Sequence, residues 1–412
     1  MSSFPCRFCG AALTRSFCDL GTSPASNSFI RPQDAQRPEP FYALKVYLCE
    51  ACFLVQLPEH KTAEQIFTDD YAYFSSFSDS WLAHAKAYCD MAAKRFGLGP
   101  DARVIEIASN DGYLLQYFKA MGIPVLGIEP SKNVADQALA KGVPTMVRFF
   151  GRSLAAELAA EDRKADLLLG NNVLAHVPDI NDFVAGLKGA LKPAGTVTME
   201  FPHLSRLIAG IQFDTIYHEH FSYLSLMVVE RIFAHHGLSV FDVDELPTHG
   251  GSLRIYARHG EAAATKRSSR VEGILQQEAA QGLGDVSGYG GFDDRVREVK
   301  NGLLDFLIKA KRQNKRIVAY GAAAKGNTLL NYCGVRGDFI DYVVDRSPAK
   351  QGRLLPGTRI PVRAPASIGA DRPDYLLILP WNIRDEIIAT MAHIRDWGGK
   401  FVVPIPEVSV IE

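Results

Sequence analysis

Residues 103–112 read Arg-Val-Ile-Glu-Ile-Ala-Ser-Asn-Asp-Gly. Arg103 to Ala108 is an apolar run of the kind that forms a parallel strand buried on both faces, and Ser109-Asn110-Asp111-Gly112 turns it into a helix beginning near Tyr113. A strand, a tight turn and a helix in that order put amides at a helix start, where a glycine lets a ligand approach the backbone closely. Glu106, inside the strand, can stay ionised beside a cationic or hydroxyl-bearing ligand. A second strand, Pro124 to Ile128, ends at Glu129, an acid placed to accept two hydrogen bonds from a ribose diol.

These features alone suit a nicotinamide dinucleotide as well as other nucleoside cofactors. The glycine spacing separates them: a pyrophosphate needs G-x-G-x-x-G, and this turn offers only Gly112. S-adenosylmethionine (SAM) has no phosphate and needs acids around its amino-acid part, so it fits better. Further strands, Asp166 to Gly170 and Thr196 to Phe201, open on the same edge, the first into Asn171-Asn172-Val173-Leu174-Ala175-His176. The candidate cofactor residues are Glu106, Ala108, Asn110, Asp111, Gly112, Glu129, Pro130, Phe149, Asn171 and Asn172. Val240 to Leu246 and Ser252 to Ala257, joined by Pro247-Thr248-His249-Gly250-Gly251, read as an antiparallel pair. A parallel sheet with one terminal reversed strand is the common plan of SAM-dependent methyltransferases.

Between the fifth strand and that hairpin lies Phe213-Asp-Thr-Ile-Tyr217-His218-Glu219-His220-Phe-Ser-Tyr-Leu-Ser225. It follows the carboxyl end of a strand and so hangs over the crevice where open α/β sheets bind ligands. A neutral imidazole is plentiful near neutral pH and can take a proton, with Glu219 and Tyr217 to orient it or hold a developing oxyanion. Two other readings compete: a buried loop whose polar groups merely satisfy one another, and zinc held by His218 and His220. Alternate residues of an extended segment point to opposite faces, which disfavours shared ligation.

Upstream, Cys6-x2-Cys9 and Cys49-x2-Cys52 form two knuckles, the spacing that brings four thiolates to one zinc ion. Such a closed set is structural, stapling a small β-rich domain. The remaining cysteines, Cys18, Cys89 and Cys333, read as apolar fillers. From Ala63 to Phe96 the composition favours helix, interrupted by a stretch in which Tyr71 and Tyr73 either line a pocket or tip a surface loop. Glu261 to Gln313 reads as helix, loop, helix. Lys315 to Tyr320 then leads into Gly321-Ala-Ala323-Ala-Lys325-Gly-Asn327-Thr and a helix, a second cradle whose lysine adds a positive charge for an anion. Strands Ile340 to Val344, ending at Asp345, and Tyr375 to Leu379 complete another α/β unit.

The 412 residues suffice for two or three domains, and 45 basic against 46 acidic residues leave no positive field for nucleic acid or an anionic membrane. The first residues lack a signal-peptide pattern and no apolar run is long enough to span a bilayer, so a cytoplasmic protein with a small-molecule partner is expected.

Taken in order, the knuckles, E-I-A-S-N-D-G, N-N-V-L-A-H-V-P, F-D-T-I-Y-H-E-H-F-S-Y-L-S, P-T-H-G-G-S-L-R and Y-G-A-A-A-K-G-N-T-L-L-N-Y-C-G resemble the three-domain sugar C-methyltransferases of deoxysugar pathways. The resemblance implies an α/β chain with a zinc-binding domain (1–62), a Rossmann-like SAM methyltransferase domain with its preceding helical segment (63–260), and a C-terminal Rossmann-like substrate domain (261–412). It implies methylation of carbon 3, or carbon 5, of a nucleotide-linked 4-keto-6-deoxy sugar. His220 would be the base, Tyr217 and Glu219 its partners, and Tyr73 and His176 neighbours. Gly321, Ala323, Lys325, Asn327, Asp345 and His249 are the candidate substrate contacts. Ala108 replaces the family's usual glycine, and Arg148 stands where many methyltransferases carry an acid near adenine. Two rival classes share parts of the pattern: an O- or N-methyltransferase, and a non-catalytic zinc-ribbon binding protein.

Overall fold

The computed structural model describes residues 4–67, 73–261 and 266–412. Near the N-terminus the knuckles flank β1 (Arg15–Ser23) and β2 (Tyr42–Leu48), and β3 (Val55–Gln56) follows the second. Helix α1 (Asp79–Phe96) starts at Ser78, whose hydroxyl accepts from the Trp81 amide, and stops at Gly97, in the left-handed conformation a glycine adopts without Cβ strain. Then come β4 (Val104–Ile107), β5 (Val125–Ile128), β6 (Thr145–Met146), β7 (Ala165–Asn171), β8 (Leu191–Pro202), the short β9 (Ser222–Tyr223), and the hairpin β10 (Leu238–Leu246) and β11 (Ser252–His259).

The central sheet runs β10-β11-β8-β7-β4-β5-β6. From β8 to β6 it is parallel, and β11 is antiparallel to both its neighbours. The reversed strand is therefore second from the edge rather than terminal. Burial explains the placement: Ser252 to Ala257 is buried at every position, whereas β10 exposes residues along its length and takes the edge. All four residues of β4 are buried, as a central parallel strand requires.

Helix α2 (Phe292–Arg312) leads into β12 (Ile317–Tyr320), α3 (Ala324–Cys333), β13 (Val343–Val344), β14 (Val362–Arg363), β15 (Tyr375–Ile378), β16 (Lys400–Val403) and β17 (Ser409–Ile411). Their sheet runs β14-β13-β12-β15-β16-β17, so connectivity reverses at β12 and a crevice opens beyond the carboxyl ends of β12 and β15. The N-terminal sheet runs β9-β3-β2-β1. Its outer strand is donated by the segment just after His220, with Ser222 opposite Gln56 and Tyr223 opposite Val55. Among the described residues no helix is long and apolar enough to cross a membrane.

Candidate active site

At the carboxyl end of β4 the backbone coils through left-handed conformations at Ala108 (φ 54°), Asn110 (φ 49°) and Gly112 (φ 75°). Gly112 is required twice over, since a Cβ there would lie 3.1 Å from Val143 Cγ2. At Ala108 the left-handed turn costs roughly 1 kcal/mol that a glycine would not incur. Ala108→Gly is thus expected to raise the melting temperature by about 1–3 °C in a thermal scan, and a lower melting temperature would contradict this account of the loop.

The Asn110 side chain ties the segment before α1 to this loop. Its Oδ1 accepts from the Ser75 amide (2.8 Å) and its Nδ2 donates to the Tyr73 carbonyl (3.3 Å). Tyr73 itself is 46% exposed at the rim, and Tyr71 lies outside the described residues. Glu129 accepts from the amides of Asn110 (3.1 Å) and Ser131 (2.8 Å), and burial lifts its carboxyl to about 7 against those bonds. Pro130 follows it directly, and Phe149 is 42% exposed nearby in sequence. Arg148 pairs with exposed Glu157 at 3.0 Å, so its charge is spent at the surface.

Both carboxylate oxygens of Glu106 are buried without a hydrogen-bond partner among the described residues, as are Asp111 Oδ1, Asn171 Nδ2 and Asn172 Oδ1. Burial pushes the Glu106 carboxyl well above the usual range. Orphaned acids and amides at adjoining strand ends need a ligand rich in hydroxyls and positive charge, and SAM has that chemistry.

His220 follows the turn Phe213–Thr215. Its Nδ1 lies 2.7 Å from the Thr215 carbonyl, which can only accept, so Nδ1 carries the hydrogen and the neutral ring presents its lone pair at Nε2. Burial first, then His176, hold its pKa well below the ordinary histidine value. The Tyr217 ring lies 3.9 Å from the imidazole, centroid to centroid, and His176 meets it edge-on at 4.6 Å. Burial also brings His176 to about 4 and pushes the Tyr217 hydroxyl well above its usual range. Glu219 accepts from Asn27 Nδ2 of the N-terminal domain (2.8 Å), and the acceptor on His220 Nδ1 is the Thr215 carbonyl. His218 turns the other way, its Nε2 3.2 Å from the Ala43 carbonyl and its ring against Tyr42 and His60. The two histidines do not converge on one ion.

His249 is half-buried at the hairpin tip, where its Nε2 accepts from Asn172 Nδ2 (2.7 Å) and lost solvation takes its pKa to about 4. Next to it, Gly250 has no space for a Cβ: Trp381 of the C-terminal domain would sit 2.5 Å away. The Trp381 indole N–H donates to Asp214 (2.7 Å), whose carboxyl burial raises to about 6. In the second cradle the Lys325 ammonium donates to Asn382 Oδ1 (2.7 Å) and lies 4.8 Å from the Trp381 ring centre.

Three other cradle residues are engaged within the protein. Asp345 accepts from the Ala322 amide just ahead of α3 and from the Ser347 amide in its own turn (each 2.8 Å). Gly321 makes room for Pro380, 2.5 Å from where a Cβ would stand. Asn327 donates to the Ser26 carbonyl (2.6 Å) and keeps an orphaned, buried Oδ1. Ala323 caps α3 without a side-chain bond. Thr215, Asp214 and Trp381 went unmarked in the sequence; the first acts through its backbone, and the other two meet across 167 residues.

The sulfurs of Cys6, Cys9, Cys49 and Cys52 lie within 4.8 Å of one another, and are the cluster of metal-ligating side chains found among the described residues. Tetrahedral zinc with Zn–S near 2.3 Å needs sulfurs about 3.8 Å apart, and Cys6–Cys52 (3.6 Å) and Cys9–Cys49 (3.5 Å) comply. The Gln56 amide donates to Cys6 Sγ (3.0 Å), the outer-shell bond a thiolate ligand calls for. Cys18, Cys89 and Cys333 are buried and apart from this cluster.

Three family models match in succession: "Putative zinc binding domain" over residues 6–67, "Methyltransferase domain" over 81–243 and "C-methyltransferase C-terminal domain" over 247–406. The C-methyltransferase NovU of Streptomyces niveus is 34% identical over 406 residues, 98% of this chain and 96% of its own. A ubiquinone biosynthesis O-methyltransferase of Rhodopseudomonas palustris (strain BisA53) is 26% identical over 117 residues, 27% of this chain and 46% of its own. A solved SAM-dependent methyltransferase from Clostridium acetobutylicum ATCC 824 aligns over 43% of this chain and 92% of its own at 11% identity, with a TM-score of 0.36. With zinc-binding, methyltransferase and C-terminal blocks in one order, and NovU matched almost end to end, the chain belongs to the family of SAM-dependent C-methyltransferases that includes NovU.

Proposed function

We propose that the protein methylates the carbon beside the ketone of a nucleotide-linked 4-keto-6-deoxy sugar, carbon 3 first and carbon 5 as the alternative, with His220 as the base. The observation that carries this reading is the Nδ1 bond to Thr215, which leaves a half-buried neutral imidazole with its Nε2 lone pair available. The ketone acidifies the adjacent C–H, His220 Nε2 takes the proton, and an enolate forms. Tyr217, protonated and packed on the base, and the Lys325 ammonium supply positive charge for the enolate oxygen. Glu106, Glu129, Asp111, Asn171 and Asn172 would hold SAM, which supplies a methyl on a sulfonium that a carbanion displaces. Holding the carbon in line with that methyl lowers the barrier by on the order of 7 kcal/mol or more. His176 keeps the base dry and unprotonated, and Tyr73 closes the rim. The nucleotide end is assigned to the crevice over β12 and β15, near Ala323, Lys325, Asn327 and His249.

Mass spectrometry on a panel of nucleotide-linked keto sugars tests this: one methyl should be gained only with SAM, and the substrate C–H should exchange with solvent deuterium without it. Exchange failing while a hydroxyl or amine is methylated would replace the carbon reading with an O- or N-transferase.

The depressed histidine pKa values set a pH profile. A base whose pKa lies below the ordinary 6.5 is already neutral at pH 7, and loses activity only when acid reaches its lowered pKa. We expect the limb of kcat that belongs to His220, read at saturating SAM, to lie below the ordinary histidine value, and a limb centred near 6.5 would exclude His220 in this environment.

A further inference from the structure

The loops that carry His176 and His220 have little regular structure, yet the proposed chemistry needs their rings in fixed contact. They are bonded to one another: the amide of Phe221, next after His220, donates to the Ala175 carbonyl (2.8 Å), and the Leu57 amide donates to the Phe221 carbonyl (3.0 Å). A single side chain spans this junction. Arg7 sits between the zinc ligands Cys6 and Cys9, and its guanidinium donates from Nη1 to the Pro178 carbonyl (2.7 Å), two residues beyond His176. From Nη2 it donates to the Leu57 carbonyl, and its carbon lies 5.2 Å over the Phe221 ring.

The anchor of that side chain is equally tied. The Arg7 amide donates to Gln56 Oε1 (2.9 Å), and the same Gln56 donates to Cys6 Sγ (3.0 Å) and pairs in the sheet with Ser222. Asn181 Nδ2 donates to the Arg7 carbonyl (3.1 Å). A planar fork can bond two carbonyls at once and lie flat on an aromatic ring, which a point-charge ammonium cannot do.

We propose that Arg7 is a positioning residue, by which the zinc knuckle holds the His176 and His220 loops together in catalytic register. The proposal rests on the reading of His220 as base, but its test is separable from it. Arg7→Met keeps the length and apolar stem of the side chain and removes the fork. In the full-length protein it should retain one zinc per chain and bind SAM within about twofold of the parent. It should also shift or broaden the imidazole ¹⁵N signals of His176 and His220 and lower kcat at least tenfold on whichever keto sugar the panel returns, with KM nearly unchanged. Arg7→Lys should recover part of the loss. Unchanged ring signals with kcat within twofold would overturn the proposal, and so would a parallel loss of zinc and SAM binding, which marks general unfolding. If Arg7→Met does not fold, Arg7→Lys decides by the same two measurements. If no sugar is turned over even by the parent protein, the reading of function fails while the ring signals still decide the role of Arg7.

Discussion

His220→Asn should lower methyl transfer by about 10³-fold or more and leave SAM affinity within about twofold. Asparagine retains an amide that can donate to the Thr215 carbonyl, so the turn keeps its hydrogen bond, but it offers no nitrogen lone pair to accept a proton. A positioned general base contributes about 10²–10⁴-fold, and here no second imidazole stands ready: His176 meets the ring by its edge and His249 is bonded to Asn172. The strand-end acids and amides that would hold SAM are untouched, so isothermal titration separates binding from turnover. Turnover at the parent rate would remove His220 from the mechanism.

The second large effect concerns the zinc site. Cys49→Ser, or removal of zinc by a chelator, should abolish activity and release the N-terminal sheet to proteolysis. A structural zinc site contributes an apparent 10–16 kcal/mol in small zinc-finger peptides, and loss of one thiolate forfeits a large share of that. The sheet it staples reaches the active site physically, since β9 pairs with β3, Asn27 holds Glu219, and Asn327 of α3 holds Ser26. Metal content by mass spectrometry, limited proteolysis and turnover should therefore fail together. Full activity in a chain stripped of zinc would show that the knuckles stabilise nothing the reaction uses.

Much of this was legible in the sequence because the signals were local. A strand turning through Ser109-Asn110-Asp111-Gly112 into a helix, paired Cys-x2-Cys knuckles, and a run of Tyr217, Glu219 and His220 each declare themselves within a dozen residues. What stayed hidden is long-range or carried by the backbone. The Thr215 carbonyl has no side-chain signature. The sequence does not say that Asp345 accepts from the Ala322 amide just ahead of α3, nor that Lys325 donates to Asn382, 57 residues away. Gly321 looked like room for a ligand; its space is taken by Pro380. The position of the reversed strand was not readable, since Ser252 to Ala257 carries a charged residue, Arg254, in mid-strand, and its burial rests on the pairing of Arg254 with Glu200.

The strand β9 has a consequence for how the chain is made. The N-terminal sheet emerges from the ribosome with β3 as a bare edge, and the partner that covers it, Ser222–Tyr223, is synthesised only after most of the central sheet. At about 5–20 residues per second that delay is on the order of ten seconds or more, during which unpaired amides and carbonyls invite pairing with other chains. A fragment ending near residue 62 would carry that open edge permanently, so nascent-chain aggregation should fall once translation passes Tyr223.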